Sequence, residues 1–422
     1  MEFLIVLAFV VAYILIIFEH PLKINKSGPA LIGGVITWTI LANFSADFHL
    51  TNEHLISHLG EISEILLFLM GAMAIVELID SHEGFDIIVN RIKTRHTVKL
   101  LWITSILTFF LSAILDNLTT TIVMVTLLRK LVDDKKIRLH FTGLVIIAAN
   151  AGGAWSPIGD VTTTMLWIGE QISASKVITD LIVPSLTCLL VPLVYSSLRL
   201  RKTATKPQFV KNKDEEKSSD KFERNIVFFL GIGLLMMVPV FKTITHLPPF
   251  MGILLGLGIF WITIEILHRN KQEDIRNKYT VAYTIRKIDL PSILFFAGIL
   301  LSISALQTTG ILVTLARVIQ QALPGDYLLN ITIGLFSAVI DNVPLVAAAQ
   351  GMFDLSTYPT DHSLWIFMAY CTGTGGSALI IGSAAGVAAM GMEKINFIWY
   401  LKNISILALL GYFAGAIMYI IL

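Results

Sequence analysis

Leu111-Ser112-Ala113-Ile114-Leu115-Asp116-Asn117-Leu118 and Phe336-Ser337-Ala338-Val339-Ile340-Asp341-Asn342-Val343 read almost alike, and each sets an Asp-Asn pair inside an otherwise apolar segment. A carboxylate at membrane depth costs roughly 2.5–3.5 kcal/mol on insertion scales. The same costly pair in both halves of a chain implies a duplicated membrane protein whose copies meet at one polar site.

The surrounding composition agrees. Of 422 residues, 55% are hydrophobic and only 14% charged, against about 25% charged in soluble domains. Apolar runs close to the ~20 residues needed to cross the hydrocarbon recur along the chain. The net charge of +1 says little about partners, and no nucleic-acid role is expected. Cys188 and Cys371 lie in separate apolar segments, so neither a disulfide framework nor a zinc site is indicated. No cofactor is expected. The first apolar stretch carries Glu2 where a signal peptide would be basic, which predicts a retained first helix.

The spans trace as 2–18, 29–43, 63–80, a pair at 100–115 and 117–132, then 141–168 and 178–198. After a polar linker come 226–243, 249–267, 290–306, a second pair at 328–341 and 343–353, then 364–391 and 395–421. Each paired stretch is short in its arms and polar at its middle, which predicts a re-entrant helical hairpin. Asp and Asn cap the next helix by accepting from its free N–H groups, and Pro344 suits a first helical turn. With both stretches re-entrant, 27 of the 31 Lys and Arg fall on one side. The positive-inside rule makes that side cytoplasmic. The hairpins then enter from opposite sides, so the expected fold is an all-α polytopic membrane protein with two inverted-topology repeats. Phe68-Leu-Met-Gly71 and Phe295-Phe-Ala-Gly298, then Gly152-Gly153…Gly159 and Gly375-Gly376…Gly382, keep the same order in both halves.

The expected organisation is therefore N-terminal transmembrane helices (1–62), repeat 1 (63–198, with hairpin 100–132 and broken helix 141–168), a cytoplasmic linker (199–225), connecting transmembrane helices (226–289) and repeat 2 (290–422, with hairpin 328–353 and broken helix 364–391). The polar stretches 81–96 and 307–323 each carry an apolar face at helical spacing and predict helices along the interface.

Four polar breaks converge in this arrangement: the tips Asp116-Asn117-Leu-Thr119-Thr120 and Asp341-Asn342, the run from Asn150 through Gly152-Gly153…Pro157…Gly159-Asp160 to Thr162-Thr163, and Thr372-Gly-Thr-Gly-Gly376-Ser377. Unwound backbone at bilayer depth is tolerated where it is buried in protein or lines a watery cavity. Carbonyls, hydroxyls, amides and carboxylates are hard oxygen ligands suited to a small alkali cation. Half-helix C-termini add partial negative charge. A carboxylate that binds either a cation or a proton is the simplest device for exchanging them. The expected ligands of the transported cation are Asp116, Asn117, Asn150, Asp160, Asp341 and Asn342, with Thr119, Thr120, Thr162, Thr163 and Ser377 completing the ion and proton site. Each has a structural alternative. The Asp residues could only cap helices, Asn150 could only bond between helices, and the hydroxyls could bond back to helix carbonyls. Trp155, Ser112 and Ser337 read as packing residues. Glu64, Glu77 and Asp80 read as interfacial.

These motifs, with Glu19-His20-Pro21, Lys23 and Lys26, resemble the NhaD-type sodium/proton antiporters of the ion transporter superfamily over nearly the whole chain. The resemblance implies exchange of Na⁺ or Li⁺ for H⁺, most active at alkaline pH, by an elevator-like transport domain moving against a dimeric scaffold. Its partners would be monovalent cations, protons and the lipid bilayer. It implies transport roles for Asp116, Asn117, Thr119, Asn150, Asp160, Thr162, Thr163, Asp341 and Asn342. Dicarboxylate carriers of the superfamily have Ser-Asn-Thr at the hairpin tips; here Asp replaces the Ser, which suits a cation. The halves also differ, with Ser383 opposite Asp160 and Pro344 opposite Thr119. The main alternative is an anion or arsenite carrier. An intramembrane aspartyl protease would need Gly-x-Gly-Asp, and Pro157-Ile-Gly159-Asp160 lacks the first Gly. A bacterial inner membrane is the expected location.

Overall fold

The computed structural model describes all residues except 46, 90, 91, 93, 95, 202–220, 270, 273–279 and 324, and no side chains at 20, 21 and 201. Among the described residues there is no strand. The helices are α1 (Glu2–Ile17), α2 (Glu19–Leu22), α3 (Ser27–Phe44), α4 (Phe48–Ser81), α5 (Asp86–Val89), α6 (Thr97–Leu115), α7 (Asn117–Leu131), α8 (Lys135–Ala154), α9 (Val161–Ile168), α10 (Ala174–Arg201), α11 (Lys221–Thr245), α12 (Pro249–His268), α13 (Val281–Ile285), α14 (Leu290–Thr308), α15 (Ile311–Ala322), α16 (Asp326–Phe336), α17 (Asn342–Met352), α18 (Ser363–Gly375), α19 (Ala384–Glu393), α20 (Phe397–Tyr400) and α21 (Ile406–Ile421). Nine of the described helices are long and apolar enough to cross a membrane. The protein is an all-α polytopic membrane protein. Its exposed side chains include Phe3, Ile32, Val35, Phe222, Ile244 and Ile262, an outer surface that water would not tolerate and lipid would.

The helices form two packed groups. In one, α3 packs on α1 and α14, α4 packs on α12, α14 and α11, and α11 packs on α12. In the other, α8 packs on α6, α7, α10 and α18, α16 packs on α18, and α10 packs on α21. The interior of the second group is the most deeply buried part of the chain. Every residue of α8 from Phe141 to Ala154, and of α18 from Leu364 to Gly375, is buried.

Both broken helices are present, but not where their glycines were expected to loosen them. α8 stays helical through Gly152 and Gly153, and α18 through Gly373 and Gly375. The non-helical segments are 155–160 and, after a 3-10 turn at Gly376–Ala378, 379–383. The glycines instead allow backbones to touch. A Cβ at Gly152 would collide with the Phe109 carbonyl, and one at Gly375 with the Gly334 carbonyl. A Cβ at Gly159 would lie 2.7 Å from the Ser112 carbonyl, and one at Gly382 lies 2.5 Å from that of Ala338. Ser112 Oγ donates to the Ala149 carbonyl at 2.6 Å and Ser337 Oγ to that of Thr372 at 3.2 Å. The same contacts thus recur in both halves at nearly constant spacing.

Three further expectations change. The segment 63–80 is the end of a longer helix, since α4 starts at Phe48, where Asp47 accepts from Leu50 N–H. The stretch 81–96 is not a continuous interfacial helix: Glu83 turns left-handed at φ 56°, and α5 spans only Asp86–Val89. Its counterpart α15 does form. The last span contains a wide π turn at Leu401–Ser405, which holds Lys402. Most of the expected linker 199–225 lies outside the described residues, and α10 and α11 extend into its ends.

Gly375→Ala should lower the thermal unfolding temperature of the detergent-solubilised protein, an overpacking cost of about 1–3 kcal/mol. Gly258→Ala, inside α12 where a Cβ meets nothing within 4 Å, should leave it unchanged or raise it slightly, since alanine is the better helix former.

Candidate functional site

Four helices begin at one place, and each begins with a side-chain oxygen accepting from its first turn. Asp116 Oδ1 accepts from Thr119 N–H at 2.7 Å, opening α7. Asp160 Oδ1 accepts from Thr162 N–H at 2.9 Å, opening α9. Asp341 Oδ1 accepts from Val343 N–H at 3.3 Å, opening α17, and Ser383 Oγ accepts from Gly386 N–H at 3.2 Å, opening α19. The N-terminal ends of these half-helices therefore face the carboxylates and stabilise their charge. The C-termini of α6, α8, α16 and α18 end nearby and turn the opposite polarity toward the same region.

The polar residues interlock across all four breaks. Asn117 Nδ2 donates to Asn150 Oδ1 at 3.1 Å and to Asp160 Oδ2 at 2.6 Å. Asn150 Nδ2 donates to Ser377 Oγ and to Ser383 Oγ, both at 2.9 Å. Asn342 Nδ2 reaches Asp160 Oδ1 at 3.5 Å. Asp160 is 1% exposed and Asn150 fully buried. A cavity bordered by Asp116, Asn117, Asp160, Asp341 and Asn342 also contains Lys26 and apolar residues of α4 and α14, including Phe68, Ala72 and Phe296. The site thus sits where the two helix groups meet.

Asp116 has φ 78° and ψ 159°, a conformation that costs a non-glycine residue about 1–3 kcal/mol. Two bonds hold it, from the backbone N–H of Thr119 and from its Oγ1 at 2.8 Å. Asp341 has an ordinary φ of −50°, because five non-helical residues, 337–341, make the second tip where one residue makes the first. Instead Asp341 Oδ2 accepts from Lys26 Nζ at 2.9 Å. Among the described residues, no Lys, Arg or His is ion-paired with Asp116 or Asp160.

The structure therefore brings together Asp116, Asn117, Asn150, Asp160, Asp341, Asn342 and Ser377. Thr119 and Thr162 hold the carboxylates, the latter by both N–H and Oγ1. Thr163 Oγ1 donates to the Asp160 carbonyl at 2.9 Å, so its hydroxyl proton is used within its own helix. Thr120 is buried and its Oγ1 has no hydrogen-bond partner among the described residues. Trp155 packs on Phe109, with ring centroids 5.8 Å apart. Glu77 pairs with Lys287 at 3.5 Å, away from the site. The sequence reading missed two members, Lys26 and Ser383. Ser383 had a signal, its alignment with Asp160 across the repeat. Lys26 was visible as part of the Glu19-His20-Pro21 stretch that carries the resemblance, but nothing pointed to Asp341 as its partner, because 315 residues separate them.

A buried polar site at the junction of broken helices, inside a bundle of membrane-crossing helices, defines a membrane carrier. A model of the citrate transporter family, CitMHS, matches residues 13–360, and the chain belongs to that family. It is a carrier and not an enzyme, and the ions it handles would be cargo. Sodium/proton antiporter 1 and sodium/proton antiporter 2 of Arabidopsis thaliana are 47% and 45% identical to it, each over 98% of this chain and over 71% and 98% of their own lengths. The Na⁺/H⁺ antiporter NhaD of Vibrio cholerae is 30% identical over 99% of this chain and 91% of its own. This agrees with the resemblance read from the motifs.

Asp160→Ala should remove the α9 cap and cost about 0.5–2 kcal/mol, seen as a lower unfolding temperature. Asp160→Asn keeps an oxygen for the cap and should lose less.

Proposed function

We propose that this protein exchanges Na⁺ or Li⁺ for H⁺ across its membrane, with Asp116, Asp160 and Asp341 as the groups that take either ion. The observation that carries this reading is Asp160, a carboxylate 1% exposed and hydrogen-bonded by Asn117 and Asn342 from the two Asp-Asn motifs. An ionised carboxylate at this depth is costly unless a cation pairs with it or a proton neutralises it. A site that crosses the membrane only when neutralised in one of these two ways returns with the other, which is obligatory exchange. Asn117, Asn150, Asn342, Ser377, Thr119, Thr120, Thr162 and Thr163 supply oxygen ligands or hold the carboxylates in place.

The recurring contacts at matched spacing support two repeats, which we read as inverted in the membrane with the basic loops cytoplasmic. The two helix groups support an elevator-like motion, with α6–α10 and α16–α21 carrying the site past α1, α3, α4, α11, α12 and α14. The lipid-compatible faces of the second set leave room for a homodimer. The proposed location is a bacterial plasma membrane or, given the plant relatives, a membrane of bacterial descent.

A second reading follows from the description of the matching family: carriage of citrate or a related anion. Three aspartates against one lysine around the cavity disfavour a polyanion. In proteoliposomes with an imposed proton gradient, Na⁺ or Li⁺ should dissipate the gradient while K⁺, citrate, succinate and arsenite do not. Asp116→Asn, Asp160→Asn and Asp341→Asn should each lower the rate at least about tenfold, the scale of one lost charge-assisted interaction. Citrate uptake without a cation response would replace this reading with the second.

A further inference from the structure

Lys26 stands outside both Asp-Asn motifs and both broken helices, yet its ammonium lies in the same cavity as the three site carboxylates. It precedes the first turn of α3, and its backbone is anchored. Lys26 N–H donates to Glu19 Oε1 at 3.2 Å, and Ser27 Oγ donates to the Pro291 carbonyl at 2.6 Å. α3 itself is locked to α14 by backbone contact, since a Cβ at Gly34 would lie 2.8 Å from the Gly298 carbonyl. From this fixed base the side chain passes over the Phe295 ring, with Nζ 4.1 Å from its centroid, and ends 2.9 Å from Asp341 Oδ2. Lys26 leads into α3 of the first helix group, and Asp341 ends the hairpin tip that follows α16 of the second, so the ion pair links the two.

The chemistry of the pair differs from that of a fixed strut. The side chains are 26% and 20% exposed, so the bond is reachable from the cavity. A lysine ammonium is a compact monovalent charge on a flexible stem, without the bidentate fork that makes an arginine–carboxylate pair rigid. Glu19 and Asp289 border the neighbouring cavity together with Lys26 and Asp341, and give the ammonium another acidic surface when it leaves Asp341. The local chain thus holds a tethered monovalent cation on a carboxylate of the site, with a place for it to go.

We propose that Lys26 is a built-in competitor for the transported cation: its ammonium holds Asp341 in one stage of the cycle, cargo Na⁺ or Li⁺ displaces it, and it thereby sets the cation concentration at which exchange runs. This rests on the cation-exchange reading above. Because the pair joins the two helix groups, displacement also frees the site-bearing group from its neighbour. Lys26 is in this sense a positioning and selectivity residue, whose removal shifts the Na⁺ requirement rather than only the maximal rate.

The test is Na⁺-driven proton movement in proteoliposomes, with the half-maximal Na⁺ concentration and the maximal rate measured separately. Lys26→Gln should lower the half-maximal concentration by about tenfold, the equivalent of ~1.4 kcal/mol of competition. Lys26→Arg, a stronger carboxylate partner, should raise it. In an Asp341→Asn background, where exchange is slowed but residual movement is measurable, Lys26→Gln should shift it no further. The same order should appear in the Na⁺ concentration that raises the unfolding temperature of purified protein, which needs no transport activity. A half-maximal concentration unmoved by either Lys26 substitution, moved the same way by both, or moved equally in the Asp341→Asn background overturns the proposal. If Lys26→Gln does not fold, Lys26→Arg decides alone, and an unchanged or lower requirement overturns it. A wild-type protein without any Na⁺ or Li⁺ response overturns the exchange reading and this one with it. An active wild type with unshifted variants overturns only the role of Lys26.

Discussion

Three carboxylates near one another in a membrane protein, Asp160 buried and Asp116 and Asp341 half-buried, set the terms for everything around them. Each would be expelled or neutralised unless the fold supplied hydrogen-bond donors and favourable partial charge. The chain supplies both by starting a helix at each one. Asp116, Asp160 and Asp341 open α7, α9 and α17, and Ser383 opens α19 in the fourth position. A helix can start at bilayer depth only if another ends there. The hairpins and broken helices are therefore the backbone solution to an electrostatic problem. The remaining donors, Asn117, Asn150 and Asn342, tie the four starts into one network.

That network needs backbones to approach closely, and the paired glycines make this possible. Gly152 and Gly375 lie against the Phe109 and Gly334 carbonyls, so α8 and α18 bring Asn150 and Ser377 within bonding distance of each other. Lipid offers no hydrophobic drive for helix association, so such contacts and interhelical hydrogen bonds hold the centre together. At one end of the same group a charge cluster does similar work. Glu393, buried at the end of α19, accepts from Arg129 at 2.6 Å and Arg138 at 3.0 Å, joining the second half of the chain to the turn between α7 and α8.

The halves share contacts without sharing chemistry. Asp116 is held in a strained conformation by its own Thr119, whereas Asp341 is relaxed and held by Lys26 from the other helix group. Where the first half places Asp160, the second places Ser383, and both bond into the Asn117–Asn150 link. One half contributes two carboxylates and a fixed geometry, the other one carboxylate and a contact across the group boundary. In the proposed cycle this asymmetry would let one half retain the ion while the other reports its arrival.

Much of this was legible in the chain because hydropathy and repetition are local signals. An Asp-Asn pair in an apolar run, repeated about 225 residues later, marks a polar site wherever the helices lie. The all-α class, the helix breaks beside Asp116, Asp160 and Asp341, and the family resemblance follow from sequence alone. The tertiary structure decided what depends on distance. It showed that Gly152 and Gly375 pack rather than unwind, because nothing in their own neighbourhood reveals the carbonyl that faces them. It placed Ser383 beside Asn150, and it brought Lys26 onto Asp341. The Lys26 stretch carries the family resemblance, but only folding shows that this ammonium reaches a carboxylate in the other half.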